Sequence, residues 1–529
     1  MRRVQARTIS AYRTFIIAGH YKFIEYAKMH DEVSILCDLG RWSYYAEGGA
    51  HVVLKNRDHI KLSCRCRGHV LKVPKIKKKD TKCTTDHEVS FILNVIGKLF
   101  DCSLVPQSHE IFINDDVLSS MLNSITPMRD PSRILADPDI LLSSFGILES
   151  DLTLSLVDGR PCISLELKVK SSVTSTSPLV VHPHKLSHGK YSYMQQYKHM
   201  CNDNLPWGAL HSVSHYDPHK LCSGAHGDFV DSFKVLLANP QNNLKIILNE
   251  NHVYGWSKND QGNKLCMEDG LVSIFNHTDG ASGSMDTLTY IVQTILAQES
   301  VLPKLEQLQC LDILDTEGCE IVYRMLEGVH QDQLTEKLLD FFYQPLDTHD
   351  IHMWNYVSAF THTYTFNQHR ASESGLDLTD PIQHLASIRV NKNMSMQERQ
   401  LQHGKFMTIL DTLDSRQLMM LLKMAMVAMI FKDASVIVTV SVVHVLPSLS
   451  FPLDSDKNNA AYQTSVSCQS VDKDGELRTI DTTNQEEVLD IKYRVGLIDL
   501  QLKALSKFTS NVKKEKKIFQ TLANAREVF

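Results

Sequence analysis

Glu166, Lys168 and Lys170 occupy alternate positions in the nine residues CISLELKVK, Cys162 to Lys170. Ile163, Leu165, Leu167 and Val169 occupy the positions between them. A period of two makes this a strand with one apolar face for a core and one charged face for solvent or a ligand. Its two lysines stand about 7 Å apart on the same side, and ammonium groups that close repel unless an anion lies between them or water screens them. The design recurs in VGLIDLQLK, Val495 to Lys503, where Asp499, Gln501 and Lys503 oppose Ile498, Leu500 and Leu502. Carboxylate and lysine on the open face of a buried strand, occurring twice, suit a cation and a phosphorylated ligand. A solvated lysine face is the plain alternative for either strand alone.

Other elements must position these groups. WSYYAEGGAHVVL (Trp42 to Leu54) predicts strand, glycine turn and strand, with Gly48 and Gly49 allowing backbone amides to approach a phosphate. It is not a full G-x-G-x-x-G, and a glycine hairpin of this sort is usually only a hairpin. VPKIKKKDTK (Val73 to Lys82) predicts a solvated charged loop, Glu88 to Phe100 a helix, and MRDPSRI a loop carrying Arg129 and Arg133. A polar loop over 171–190 leads into a helix from Tyr191 to His199. PQNNLKIIL is a turn feeding a strand, with Asn242 and Asn243 at its mouth. Residues 258–285 predict a loop or partly disordered insert, Asp286 to Leu326 helices, and 345–400 an irregular or helical insert. The run LMMLLKMAMVAMIF, Leu418 to Phe431, is too short to span a bilayer and carries Lys423, so a buried helix with methionine core filling is expected. Asp433 follows at a helix-to-strand junction, flanked by Lys432 and Ser435. It is placed to reach into a cleft or to act as a cap.

Length and composition set bounds. A chain of 529 residues buries a large core in two or three lobes, and 43% hydrophobic with 22% charged residues is ordinary for a soluble globular protein. The net charge of −6 offers no global basic field for nucleic acid. Twelve cysteines without a C-x-x-C pair argue against a zinc ribbon or disulfide scaffold and fit a reducing compartment, cytoplasmic or nuclear. His211, His215 and His219 stand four apart, but Pro218 breaks the helix that metal binding would need. Residues 1–40 hold Arg2, Arg3, Arg7 and Arg13 and no acid before Glu25, a pattern shared by transit peptides and by extensions with no sorting role.

The ordered set W-x-Y-x-x-E-G, C-I-S-x-E-x-K-x-K, Y-D-P-x-x-L-x-S-G, P-Q-N-N-x-K, K-D-x-S and I-D-L-x-L-K resembles the inositol-pentakisphosphate 2-kinases over roughly residues 42–520. Neither H-R-D and D-F-G nor the P-x-x-x-D-x-K-x-G string of other inositol-phosphate kinases is present. The resemblance implies a two-lobed α+β kinase fold of antiparallel sheets with packed helices. It implies an extension over 1–40, a nucleotide-binding lobe over 41–145 and a lobe with inositol phosphate-binding insertions over 146–529. The implied reaction moves the ATP γ-phosphate, with Mg²⁺, onto the 2-hydroxyl of inositol 1,3,4,5,6-pentakisphosphate to give the hexakisphosphate. By position in the motifs, Asp433 is the implied base and Lys168 the partner catalytic lysine. Glu47, Gly48, Gly49, Arg65, Glu166, Asn243 and Lys245 fall on the nucleotide side, and Asp499 on the magnesium. Arg133, Lys170, Gln195, His199, Asn242, Lys503 and Lys507 fall on the substrate. The implied protein is a monomer that binds neither nucleic acid nor membrane.

The departures concentrate on the substrate side. The loop glycine before Glu47 is Ala46, the loop asparagine is His51, and the proline between the strand lysines is Val169. MQQYKH stands where M-H-Q-x-x-K is usual, so the substrate histidine is Gln195 and the lysine falls at His199, or at Lys198 after a one-residue shift. The proline after Lys503 is Ala504, a tyrosine has become Asn511, and an arginine has become Lys507, which gives up a bidentate grip. The H…C-x-x-C…H zinc set of plant members is absent, so no zinc is expected. Two alternatives stay open: a degenerate relative that binds inositol phosphates without transfer, and a kinase of a less phosphorylated inositol.

Overall fold

A computed structural model describes residues 42–56, 68–76, 85–101, 103–157, 159–201, 214–249, 251–255, 260–275, 280–367, 377, 379–444, 466–471, 477–479 and 489–526. They form two compact units. The smaller takes the described residues up to Val89 with Gln107–Asp151, and the larger takes Ser90–Pro106 with those from Leu152 onward. The boundary drawn from sequence at 145/146 falls on the first residue of a strand. The change of unit comes after that strand ends, and residues 90–106 go with the larger unit.

The smaller unit is a six-stranded sheet of β1 (Trp42–Glu47), β2 (His51–Asn56), β3 (His69–Ile76), β4 (Ser108–Phe112), β5 (Leu141–Leu142) and β6 (Phe145–Ser150). The order is β1-β2-β3-β6-β4, with β5 on β3 and every pair antiparallel. β1 and β2 form the expected glycine hairpin. Val52, Leu54, Leu71 and Val73 point into one core with Met121 and Ile125 of the helix Asp115–Ile125. That helix starts because the Asn114 side chain accepts from Val117 N at 2.8 Å. The charged loop expected over 73–82 is corrected in its first part. Val73 and Pro74 continue β3 to Ile76 because Val73 is fully buried, and the lysine run beyond lies outside the described residues.

The larger unit is built on a seven-stranded sheet of β7 (Cys162–Lys168), β8 (Leu244–Leu248), β9 (Asn251–Tyr254), β10 (Ser435–His444), β11 (Val466–Val471), β12 (Leu477–Thr479) and β13 (Leu489–Ile498). The order is β12-β11-β13-β10-β7-β8-β9, and only β11–β13 is parallel. The central β10 pairs Ser435 with Lys168 on one side and with Ile498 on the other. Ile163, Leu165 and Leu167 enter the main core as their alternation predicts. Val495–Lys503 is corrected: β13 stops at Ile498, and Asp499 turns the chain with φ 64°. Its polar–apolar alternation imitates a strand that the backbone does not continue.

The helix Ser415–Phe431 packs against the helices Val301–Gln309 and Asp315–His330, started by a capping box between Asp414 and Gln417. Its Met424 and Met426 are fully buried, and Lys423 is buried with them. Lys423 donates to Phe341 O (3.3 Å) and Gln344 O (2.7 Å), satisfying carbonyls at the end of the helix Leu334–Tyr343. Burial brings its pKa down to about 8.

The insert expected over 258–285 is corrected to the helices Asp260–Phe275 and Gly280–Gln298. Met267, Leu271, Ile274 and Phe275 form a buried stripe at helical spacing, interrupted in sequence by Glu268, Asp269 and Gly270. Gly270 packs against Leu248 of β8, whose Cδ1 would have to shift to admit a Cβ. The described residues of 345–400 are chiefly the helices Thr348–Asn367 and Pro381–Ser387 and the start of Met396–Leu410. Among the described residues no helix is long and apolar enough to cross a membrane.

Candidate active site

Lys168, Lys170, Asp433, Asp499 and Lys503 come together at one end of the seven-stranded sheet. Lys168 is the last residue of β7, Asp433 precedes the first residue of β10, and Asp499 follows the last residue of β13. Antiparallel pairing of three strands brings those ends side by side. Lys168 Nζ lies 2.8 Å from Asp499 Oδ2 and 3.7 Å from Asp433 Oδ1. Lys170 Nζ is 3.2 Å from Asp433 Oδ1, and Lys503 Nζ is 3.1 Å from Asp433 Oδ2. The anion that the lysine pair requires is therefore Asp433 itself. Ser435 Oγ, fully buried, donates to Glu166 Oε1 (3.4 Å) or Asp499 Oδ2 (3.3 Å), and Lys245 Nζ donates to Glu166 Oε2 (2.6 Å).

Two of these residues adopt a backbone that non-glycine residues avoid: Lys170 has φ 69° and Asp499 φ 64°. Each costs of order 1 kcal/mol and is held by its surroundings. For Lys170 the brace is Gln309, a buried side chain that donates to Lys170 O (3.0 Å) and Phe431 O (3.4 Å) and accepts from Ser172 N (3.0 Å). Gln309 carried no motif in the sequence, because its work is done on backbone atoms far along the chain.

The electrostatics follow from the pairing. Burial opposes the charge on Asp433, but Lys503, Lys170 and Lys168 outweigh it and bring the carboxyl down to about 2. Burial likewise opposes the charge on Lys168, yet Asp499 and Asp433 hold its pKa above the ordinary value. Lys170 goes the other way: burial and the neighbouring Lys168 outweigh Asp433 and lower it. Asp433 and Lys168 are both charged near neutrality. Asp499 and Asp433 present hard carboxylate oxygens to a shared ammonium, a donor set that fits Mg²⁺.

The remaining expected residues divide. Asn243 is buried at the mouth of β8, with Nδ2 on Tyr191 Oη (2.7 Å) and its carbonyl accepting from Lys168 N (2.8 Å). It fixes the backbone of the site lysine. Asn242 is exposed beside it. Gln195 is buried, donating to Gln241 Oε1 (3.3 Å) and accepting from Ser214 N (3.4 Å), so its amide is spent on the scaffold. Lys507 is exposed at the first turn of the helix Lys507–Arg526. The side chain of His199, and all of Arg65 and His211, lie outside the described residues. His219 pairs with Glu306 at 3.0 Å and stacks on Phe366, which accounts for it without a metal.

In the smaller unit, Gly48 and Gly49 are exposed at the hairpin turn, with open space above Gly49. The Glu47 side chain is turned away from that space. Arg129 Nε and Nη2 donate to Glu47 Oε2 (2.8 Å) and Oε1 (2.9 Å), and Lys75 pairs with the same carboxylate. Burial raises the Glu47 pKa, but these two cations prevail and hold it below the usual range. The Glu47 carboxylate locks the hairpin, and the turn beyond it leaves its backbone exposed. Arg133 is half-buried on the short helix Pro131–Ala136, not on a loop.

Comparison with known proteins agrees with this geometry. A family model described as inositol-pentakisphosphate 2-kinase matches residues 44–517. An inositol-pentakisphosphate 2-kinase of Arabidopsis thaliana is 24% identical over 324 residues, 53% of this chain and 68% of the relative. That of Danio rerio is 27% identical over 220 residues, covering 40% of this chain and 43% of the relative. That of Cryptococcus neoformans is 25% identical over 190 residues, covering 35% and 43%. The matched stretch is thus less than half the length of the last two. With a family model running through nearly the whole described chain, from β1 to the C-terminal helix, the chain belongs to the inositol-pentakisphosphate 2-kinase family.

Proposed function

We propose that the chain is an ATP-dependent kinase that phosphorylates the 2-hydroxyl of inositol 1,3,4,5,6-pentakisphosphate to give the hexakisphosphate. The observation that supports this best is the meeting of two carboxylates and three lysines at the ends of β7, β10 and β13. A protein that only bound inositol phosphates would need the lysines and would be weakened by carboxylates among them.

Phosphoryl transfer calls for positioning and charge stabilisation more than covalent help. Lys170 and Lys503 are placed to hold substrate phosphates, and Lys168 to stabilise charge on the transferring group. Asp499 would hold Mg²⁺, which supplies neutralising charge at the nucleotide phosphates when bound. Asp433 orients the hydroxyl and takes its proton. With its pKa near 2 Asp433 is a weak base in the free protein. Substrate phosphates that draw Lys170 and Lys503 away would restore its basicity as they seat the hydroxyl. The exposed turn of the smaller unit would let the Gly49 amide approach a nucleotide phosphate. The protein would act as a monomer in the cytoplasm or nucleus.

The test is turnover of inositol pentakisphosphate with Mg·ATP, products separated by anion exchange. A new hexakisphosphate peak is expected. Absence of any product, with thermal stabilisation by the pentakisphosphate, would move the reading to a binding protein.

A further inference from the structure

Gln309 is the last residue of the helix Val301–Gln309, and its side chain is buried. A primary amide offers two donors and two acceptor positions, and here all four are used. Nε2 donates to Lys170 O (3.0 Å) and Phe431 O (3.4 Å). Oε1 accepts from Ser172 N (3.0 Å) and Ser172 Oγ (3.3 Å). One planar group thereby ties the chain just after β7 to the last residue of the helix Ser415–Phe431, two positions before Asp433.

The helix end that carries Gln309 is itself anchored. One turn earlier, buried Glu306 pairs with His219 on one oxygen (3.0 Å) and with His362 on the other (3.1 Å). Three residues later, Asp312 pairs with Lys432, the neighbour of Asp433, at 2.7 Å. Its other oxygen accepts from Asp315 N (2.9 Å), at the start of the next helix. Both sides of the Lys170–Asp433 contact, 263 positions apart in the chain, are thus held from one short segment.

Lys170 depends on this hold. It occupies the left-handed region, with φ 69°, which a lysine leaves unless its surroundings keep it there. Released to an ordinary φ, its side chain would depart from another face of the backbone, away from the 3.2 Å contact with Asp433.

We propose that Gln309 is a positioning residue whose amide sets the placement of Lys170 against Asp433. Through it the protein fixes both the grip on a substrate phosphate and the seat of the base. The inference rests on the kinase reading for the roles of Lys170 and Asp433, and not for the tie between them.

The experiment is a double-mutant cycle on the full chain. Inositol pentakisphosphate binding is read by calorimetry without ATP, and turnover is read with Mg·ATP. Gln309→Met fills the space and removes all four hydrogen bonds. It should weaken binding about fivefold, short of the roughly tenfold or more for losing a charge-assisted contact outright. It should also lower kcat about tenfold or more, since small displacements of reacting groups slow transfer steeply. Added to Lys170→Met, it should weaken binding about twofold at most, because the lysine it places is gone. Gln309→Glu has the same shape but turns two acceptors on two carbonyls, so it should do no better than Gln309→Met. A side chain that merely fills space would be replaced equally well by either. The titration stoichiometry counts folded molecules, so Kd belongs to native protein even where a variant melts early. Equal loss of affinity with and without Lys170 overturns the proposal, as do parental kinetics in Gln309→Met. A parent that binds the pentakisphosphate without turnover would sink the kinase reading, and the binding cycle would still decide what places Lys170.

Discussion

Replacing Asp433 by asparagine should slow turnover and tighten substrate binding together. The asparagine keeps the shape but takes no proton and carries no charge. Losing a general base costs about 10²–10⁴ in rate, or about 3–5 kcal/mol of barrier. The ground state moves oppositely. In the free protein Asp433 lies 3.1–3.7 Å from three lysines and neutralises part of their field. A unit charge about 5 Å from a substrate phosphate is worth about 1–3 kcal/mol at an effective dielectric of ~80 to ~20. The Asp433 side chain is 46% exposed, so the lower end applies, and removing it should tighten the pentakisphosphate about fivefold. Steady-state kinetics should show kcat down at least a hundredfold with KM unchanged or lower, and calorimetry without ATP should show the tighter Kd directly. A variant with kcat near the parent value and a raised KM would refute the reasoning, since Asp433 would then be holding the lysines in place and nothing more.

Two further predictions concern stability. Glu47→Gln leaves the buried Arg129 charge without a carboxylate and Lys75 with Asp137 alone, at 3.9 Å, and should cost about 3–5 kcal/mol in urea unfolding; a loss below ~1 kcal/mol would mean that those cations are hydrated. The His219–Glu306–His362 bridge should make stability bell-shaped in pH. His219 is raised by its hydrogen bond to Glu306, so its contribution is complete below about 6.5 and lost as pH rises through the folded value. Glu306 is opposed by burial but lowered by the two histidines, so its contribution is present above about 4.5 and lost as pH falls through its folded value. A maximum of about 1 kcal/mol between those limits should vanish in Glu306→Gln, read from urea midpoints between pH 4 and 8; a bell that survives in the variant would assign it elsewhere.

The charged groups of the site were legible because alternation is a local signal: Lys168, Lys170 and Asp499 each follow or interrupt an apolar face visible within nine residues. What alternation cannot show is where a strand ends. Asp499 leaves the sheet at a left-handed turn while the letters go on alternating through Lys503. Pairing across the chain was equally hidden. Glu47 reads as a loop residue until Arg129, 82 positions away, is found on its carboxylate. Gln195 looks available until Gln241 and Ser214 take both ends of its amide. The helix Asp260–Phe275 reads as loop because its buried stripe is broken by charge and by Gly270, which packs against Leu248.

The long reach of the site across the chain also has a kinetic consequence. Lys168 and Asp499 are 331 residues apart, and Lys170 and Asp433 are 263 apart. Loops of that size close late, because their entropy must be lost before any contact rewards it. During synthesis Lys168 and Lys170 emerge long before Asp499, the carboxylate that follows β13, so no nascent fragment that stops short of it can carry the complete cluster. Until then the chain presents lysines without their carboxylate partners. Catalytic competence and completion of the central sheet are therefore one event, and the first turnover marks a finished fold.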